Sequence, residues 1–161
     1  MKKSWIIIMM VLMVMLTACS GTNETRQNPA EEADTDKTEE TVEMKSITMT
    51  INEEKIEVVW ENNESVKALA ELASEEPLVI DASMYGGFEQ VGPIGTTLPS
   101  NDINIRTNPG DIVLYTGSNI VVFYGNNSWD YTMLGHIEGK SEDELEELLS
   151  GNNVTFRFSA E

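Results

Sequence analysis

The chain has 161 residues, and its 28 Asp and Glu outweigh 10 Lys and Arg for a formal net charge of −18 at pH 7. Such an acidic surface argues against partners that carry phosphate, whether nucleic acid or anionic lipid headgroups. A single Cys allows no intramolecular disulfide, and a single His allows no metal site or catalytic dyad built on two histidines.

Lys2 and Lys3 precede an uncharged apolar run of 12 residues, 5–16. A helix crossing the hydrocarbon core needs about 20 such residues, so residues 1–18 read as a secretory signal peptide. The run closes on Leu16-Thr17-Ala18-Cys19, which resembles the lipobox of bacterial lipoproteins. In that family the Cys thiol is diacylated and becomes the new N-terminus. The resemblance implies lipid attachment at Cys19 and a lipid-anchored, extracytoplasmic place on the bacterial cell membrane, with the bilayer as partner. Leu16-Thr17-Ala18 also fits an ordinary small-residue cleavage site. Residues 19–44 are rich in Glu, Asp, Thr, Asn and Ala, with Val42 as the one β-branched aliphatic and no aromatic. Too little apolar surface is present to offset ordering entropy, so this stretch reads as a disordered acidic tether.

Residues 45–161 suit one domain, with 20 Asp and Glu against six Lys and Arg and a net charge of −14. Ile47, Met49 and Ile51 alternate with polar residues, the pattern of a half-buried strand. Residues 52–54 turn the chain and 56–60 return it, which predicts a hairpin. Asn63 can cap a helix in which Val66, Leu69, Ala70 and Ala73 share one face. Pro77 ends it, and a strand starts at 78–80. Residues 85–109, rich in Gly, Pro, Asn, Thr and Ser, predict turns and two short strands, the better one at 103–106. Residues 111–115 and 120–124 are the strongest strands, joined by the loop 116–119. The second is apolar throughout, which predicts burial on both faces. A further strand is predicted over 131–137. Ser141-Glu142-Asp143-Glu144 forms a capping box before Leu145, Leu148 and Leu149, with Gly151 placed to follow the helix. Residues 154–158 form the last strand.

The series Tyr85-Gly86-Gly87-Phe88-Glu89, Leu98-Pro99, Asn108-Pro109-Gly110-Asp111-Ile112-Val113-Leu114-Tyr115, Phe123-Tyr124-Gly125, Ser128-Trp129 and Leu134-Gly135-His136-Ile137 resembles the bacterial cyclophilin-like domain family. It runs through residues 44–158 in the family's order. The resemblance implies a mainly β fold: a closed, eight-stranded cyclophilin-like β-barrel with two short capping helices. It also raises prolyl isomerisation, for which the family's enzymes use an Arg guanidinium to hydrogen-bond the prolyl nitrogen over an apolar floor. Here the chain departs from the pattern. Gly117-Ser118-Asn119 resembles the Gly-Ser-Gln turn, but Ile120 and Val121 follow where aromatic residues would stand. Leu134-Gly135-His136 resembles Phe-Gly-Lys, which makes His136 the counterpart of a non-catalytic Lys and puts Tyr131 near the expected His. No Arg occurs in residues 85–92.

Three readings follow, the last of them an accessory surface protein whose tether and acidic face serve solubility or assembly and which has no occupied pocket. The first is a non-catalytic module binding peptide or a small ligand, with Tyr85, Phe88, Trp129 and Tyr131 as the candidate ligand-binding residues and Tyr124 beside them. Trp and Tyr combine apolar area with a polar tip, as a groove requires; packing of core and loop corners is the alternative for each. The second is a weak peptidyl-prolyl isomerase acting on exported proteins, with Arg106 as its candidate catalytic donor and Arg157 as a solvated strand position. Asp102, Asp111 and Asp130 lack the spacing of a calcium loop, Ser128 lacks triad partners, and no phosphate loop is present. No cofactor, metal or nucleic-acid partner is expected.

Overall fold

A computed structural model describes residues 45–161; Cys19 and the stretches predicted as signal peptide and tether lie outside the described residues. Alternating apolar side chains build strand β1 (Ile47–Ile51), whose Ile47, Met49 and Ile51 are buried and whose Thr48 is exposed. Asn52 and Glu53 take positive φ angles of 49° and 72°, making the tight turn into β2 (Glu54–Ile56), and β3 (Val58–Trp60) follows after Glu57 alone. Helix α1 (Glu64–Glu75) starts at Asn63, whose side chain accepts from the Val66 amide at 2.9 Å. Val66, Leu69, Ala70 and Ala73 form its buried face.

The remaining strands are β4 (Leu78–Tyr85), β5 (Glu89–Pro93), β6 (Ile103–Arg106), β7 (Asp111–Tyr115), β8 (Asn119–Phe123), β9 (Ser128–Ile137) and β10 (Val154–Ala160), with α2 (Glu142–Leu149) before the last. Every pairing is antiparallel, in the order β2-β1-β10-β4-β5-β8-β7-β9-β3, and β6 adds itself to β9. Because β2 and β3 are consecutive, the two ends of this path lie on one short stretch of chain, and the sheet curls into a nearly closed barrel. Ten strands result where eight were expected. The backbone breaks its pairing at Glu57, which divides the strand predicted over 56–60, and β6 lies beside the path as a strand of its own.

Side chains alternate across each strand, so the barrel wall has two apolar faces. Ile112, Leu114, Ile120, Val122 and Leu134 point inward and join the buried faces of α1 and α2, with Phe156 and Phe158, in the main core. Val113, Val121, Phe123 and Tyr131 form a second cluster on the opposite face. Residues 120–123 are thus buried on both sides, as their continuous apolar pattern predicts. A bulge at Ile112/Val113 leaves Leu134 without a partner on β7. It resets the alternation of β9, so that Tyr131 and Met133 face the second cluster while Leu134 and Ile137 face the main core.

Candidate ligand site

Among the described residues no third layer covers the second cluster, and there the wall carries a cavity of about 470 Å³. One edge is the β4–β5 turn. Gly86 and Gly87 adopt positive φ angles of 63° and 79°, which non-Gly residues take only at a cost, and they place Tyr85 opposite Glu89. A Cβ on Gly86 would come within 2.3 Å of the Phe88 ring, and one on Gly125 within 2.7 Å of Phe88 Cβ. Both glycines therefore let Phe88 fold back against the wall. Its ring stacks on Phe123 at 6.5 Å with 6° between planes, and its carbonyl accepts from the Tyr124 and Gly125 amides at 2.9 and 3.0 Å.

Val91 and Val121, paired across β5 and β8, line the cavity. Tyr115 and Tyr131 meet edge to face at 5.8 Å, and Tyr131 packs on Phe123 at 5.7 Å in the same manner. Asn127 Nδ2 donates to Tyr131 Oη at 2.9 Å. Asn127 is itself held by Thr107: its amide donates to Thr107 Oγ1 at 3.0 Å, and the Thr107 amide donates to its carbonyl at 2.8 Å. Trp129 and Tyr85 stand at the rim, 57% and 68% exposed.

Glu89 is the one acidic residue of this lining. It is 5% exposed, and its Oε2 is buried without a hydrogen-bond partner. Burial disfavours the charged form and pushes its carboxyl up to about 7. The Tyr131 hydroxyl is raised by burial first and then by the Glu89 charge, against the opposing hydrogen bond from Asn127. That of Tyr124 is raised by burial and by the charges of Glu146 and Glu89. A buried carboxyl without a protein donor carries an uncompensated desolvation cost when ionised.

The candidate residues read from sequence separate here. Tyr85, Trp129 and Tyr131 line the cavity. Phe88 does not; it packs on Phe123 in the layer that supports the cavity. Arg106 is exposed on β6, with Nη2 donating to Asn126 Oδ1 at 3.4 Å, and is not among the lining residues. Glu89, Tyr115 and Asn127 were missed. The burial of Glu89 is not legible in sequence, because it follows from the pairing of β5 with the apolar strand β8. His136 stands apart from the cavity lining, its Nδ1 2.7 Å from Asp111 Oδ1, while Asp111 Oδ2 accepts from the Asn108 amide at 2.7 Å and braces that turn.

A sequence model of the cyclophilin-like family matches residues 49–159, a span that takes in both helices and reaches from β1 into β10. Comparison with characterised proteins gives no match, nor does comparison with solved structures.

Proposed function

The chain belongs to the cyclophilin-like family, and we propose that its barrel is a non-catalytic module that binds a peptide or small ligand in the cavity between Tyr85 and Trp129. The cavity carries this reading. It joins large aromatic residues to a few polar groups, Asn119, Asn127 and the buried carboxyl of Glu89, in a volume typical of small-molecule sites. The basic start and the run ending at Cys19 support placing the module outside the cytoplasm on a lipid anchor.

Prolyl isomerisation is the competing reading. The amide barrier is roughly 18–20 kcal/mol, and lowering it requires a donor at the prolyl nitrogen. Arg106 and Arg157 are the guanidinium groups of the described residues, both exposed and neither on the cavity lining. This geometry favours binding without catalysis.

Titrating Trp fluorescence with proline-containing peptides and a panel of small molecules tests the reading. A saturable change in the wild type that disappears in Trp129→Phe is the expected result; a featureless response throughout would remove the groove. In a protease-coupled assay on a proline peptide, the rate should equal the uncatalysed one. Acceleration that Arg106→Ala abolishes would instead establish the isomerase.

A further inference from the structure

Four aromatic residues and an unpaired acid share this cavity, and among the described residues no Lys, Arg or His lines it. Resting on the reading of the cavity as a ligand site, we propose that its ligand is a small soluble cation bearing a substituted ammonium group. It sits among Tyr85, Tyr115, Trp129 and Tyr131, with Glu89 as its counter-charge.

Anions, neutral apolar ligands and calcium each leave something in the site unexplained. An anion would meet the Glu89 charge and a domain of net charge −14, with no lining cation to offset either. A neutral apolar ligand would fill the volume and leave the ionised form of the buried Glu89 carboxyl without a counter-charge, which costs free energy. A calcium ion needs six or more oxygen ligands, and the described residues gather no group of three or more His, Cys, Asp or Glu suited to a metal. An organic cation satisfies both halves of the lining. Its charge answers the carboxylate, and its alkyl groups lie against Trp and Tyr rings, whose electron-rich faces attract cations. The exposed rim at Tyr85 and Trp129 leaves room for the rest of the molecule to extend into solvent. The acidic surface of the domain concentrates free cations and keeps away from anionic bilayers, which favours a soluble ligand over a lipid headgroup.

Protonation of Glu89 should oppose the cation. The groups around it are tyrosines: Tyr131 and Tyr124 feel its charge, Tyr115 acts on Tyr131, and Glu146 faces Tyr124. The hydroxyls of Tyr124 and Tyr131 are raised above 10, so between pH 6 and 8 Glu89 is the group among these three that changes charge. With its carboxyl near 7, about a tenth of the sites are ionised at pH 6, and apparent affinity scales with that fraction.

The test is calorimetric titration of the full chain in non-ionic detergent with tetramethylammonium and choline, beside 3,3-dimethylbutan-1-ol as a neutral match. At pH 8 both cations should bind, and the neutral alcohol at least about tenfold more weakly. Affinity for the cations should fall about tenfold between pH 8 and pH 6. Glu89→Gln should weaken cation binding at least about tenfold and abolish that pH dependence, with an unfolding temperature no lower than the wild type's at pH 8. Equal affinity for the alcohol, or unchanged cation binding in Glu89→Gln, would overturn the cation assignment while leaving the cavity a ligand site. No cation binding, together with silence from the peptide and small-molecule panel, would overturn both. Tighter binding to phosphatidylcholine vesicles than to free choline would overturn the choice of a soluble ligand.

Discussion

Glu89 pairs with Tyr85 on one side and Phe123 on the other, and its buried carboxyl lacks a donor at Oε2. The unfolded chain releases this proton near 4.5, the folded chain only near 7. Below pH 4.5 the group is neutral in both states and folding loses nothing. As pH rises through this window the unfolded state ionises first, and stability falls until the folded carboxyl ionises as well. The penalty above pH 7 is on the order of 3 kcal/mol. Glu89→Gln should therefore stabilise the domain by about that amount at pH 8 and by little at pH 4.5, as measured by urea unfolding at both pH values. Equal effects at the two pH values would show that the carboxyl is not desolvated. The burial of a single residue of this kind is not legible in sequence, because the strands that pair beside it set it. Phe88 shows the same limit from the other side. It belongs to the same Gly-rich aromatic motif as Tyr85, yet the positive φ at Gly86 and Gly87 turns it into the supporting layer and leaves Tyr85 at the rim.

At the scale of elements, β5 serves two faces at once. Glu89 and Val91 turn to the cavity, while Gln90 between them is fully buried on the barrel side. There Gln90 Nε2 donates to the Leu149 and Gly151 carbonyls at 2.6 and 2.8 Å, groups that the end of helix α2 leaves without intrahelical donors. Gln90→Leu should cost about 1–3 kcal/mol of stability and speed amide exchange in α2 before the rest of the barrel; uniform exchange across the domain would refute this link. The other end of α2 is held by the capping box, with the Glu144 amide donating to Ser141 Oγ and the Ser141 amide to Glu144 Oε2 at 2.8 Å. Ser141→Ala should cost about 1 kcal/mol in thermal unfolding. Both helices were legible because caps and apolar spacing are local. The division at Glu57, the bulge at Leu134 and the start of β9 at Ser128 were not, because partner strands far along the chain set them. Closure makes the same point: Gly135 pairs with Ile112 on one side and Trp60 on the other. A Cβ there would come within 2.7 Å of the Val59 carbonyl oxygen, a close approach that only the assembled sheet reveals.

For the whole molecule, the barrel fold was readable from a motif series spread over most of the domain, and the cavity emerges only where separate strands bring Tyr85, Glu89, Tyr115 and Trp129 together. The proposed lipid anchor is also tested at this scale. Cells fed a labelled fatty acid should incorporate label into the wild-type protein and lose it in Cys19→Ser; label retained in the variant would dismiss the lipid attachment. The central claim, a ligand site on the outer wall of the barrel, can be tested inside one molecule because two of its tryptophans sit in different surroundings. Trp60 packs on Phe158, with its Nε1 donating to the Ile47 carbonyl at 3.2 Å, whereas Trp129 stands at the cavity rim. The decisive measurement is the pair of indole N–H resonances in an NMR titration with choline, and with the peptide and small-molecule panel alongside. The account predicts a saturable shift of the Trp129 signal and a stationary Trp60 signal. A Trp129 signal unmoved by every probe, or equal movement of both, would contradict it.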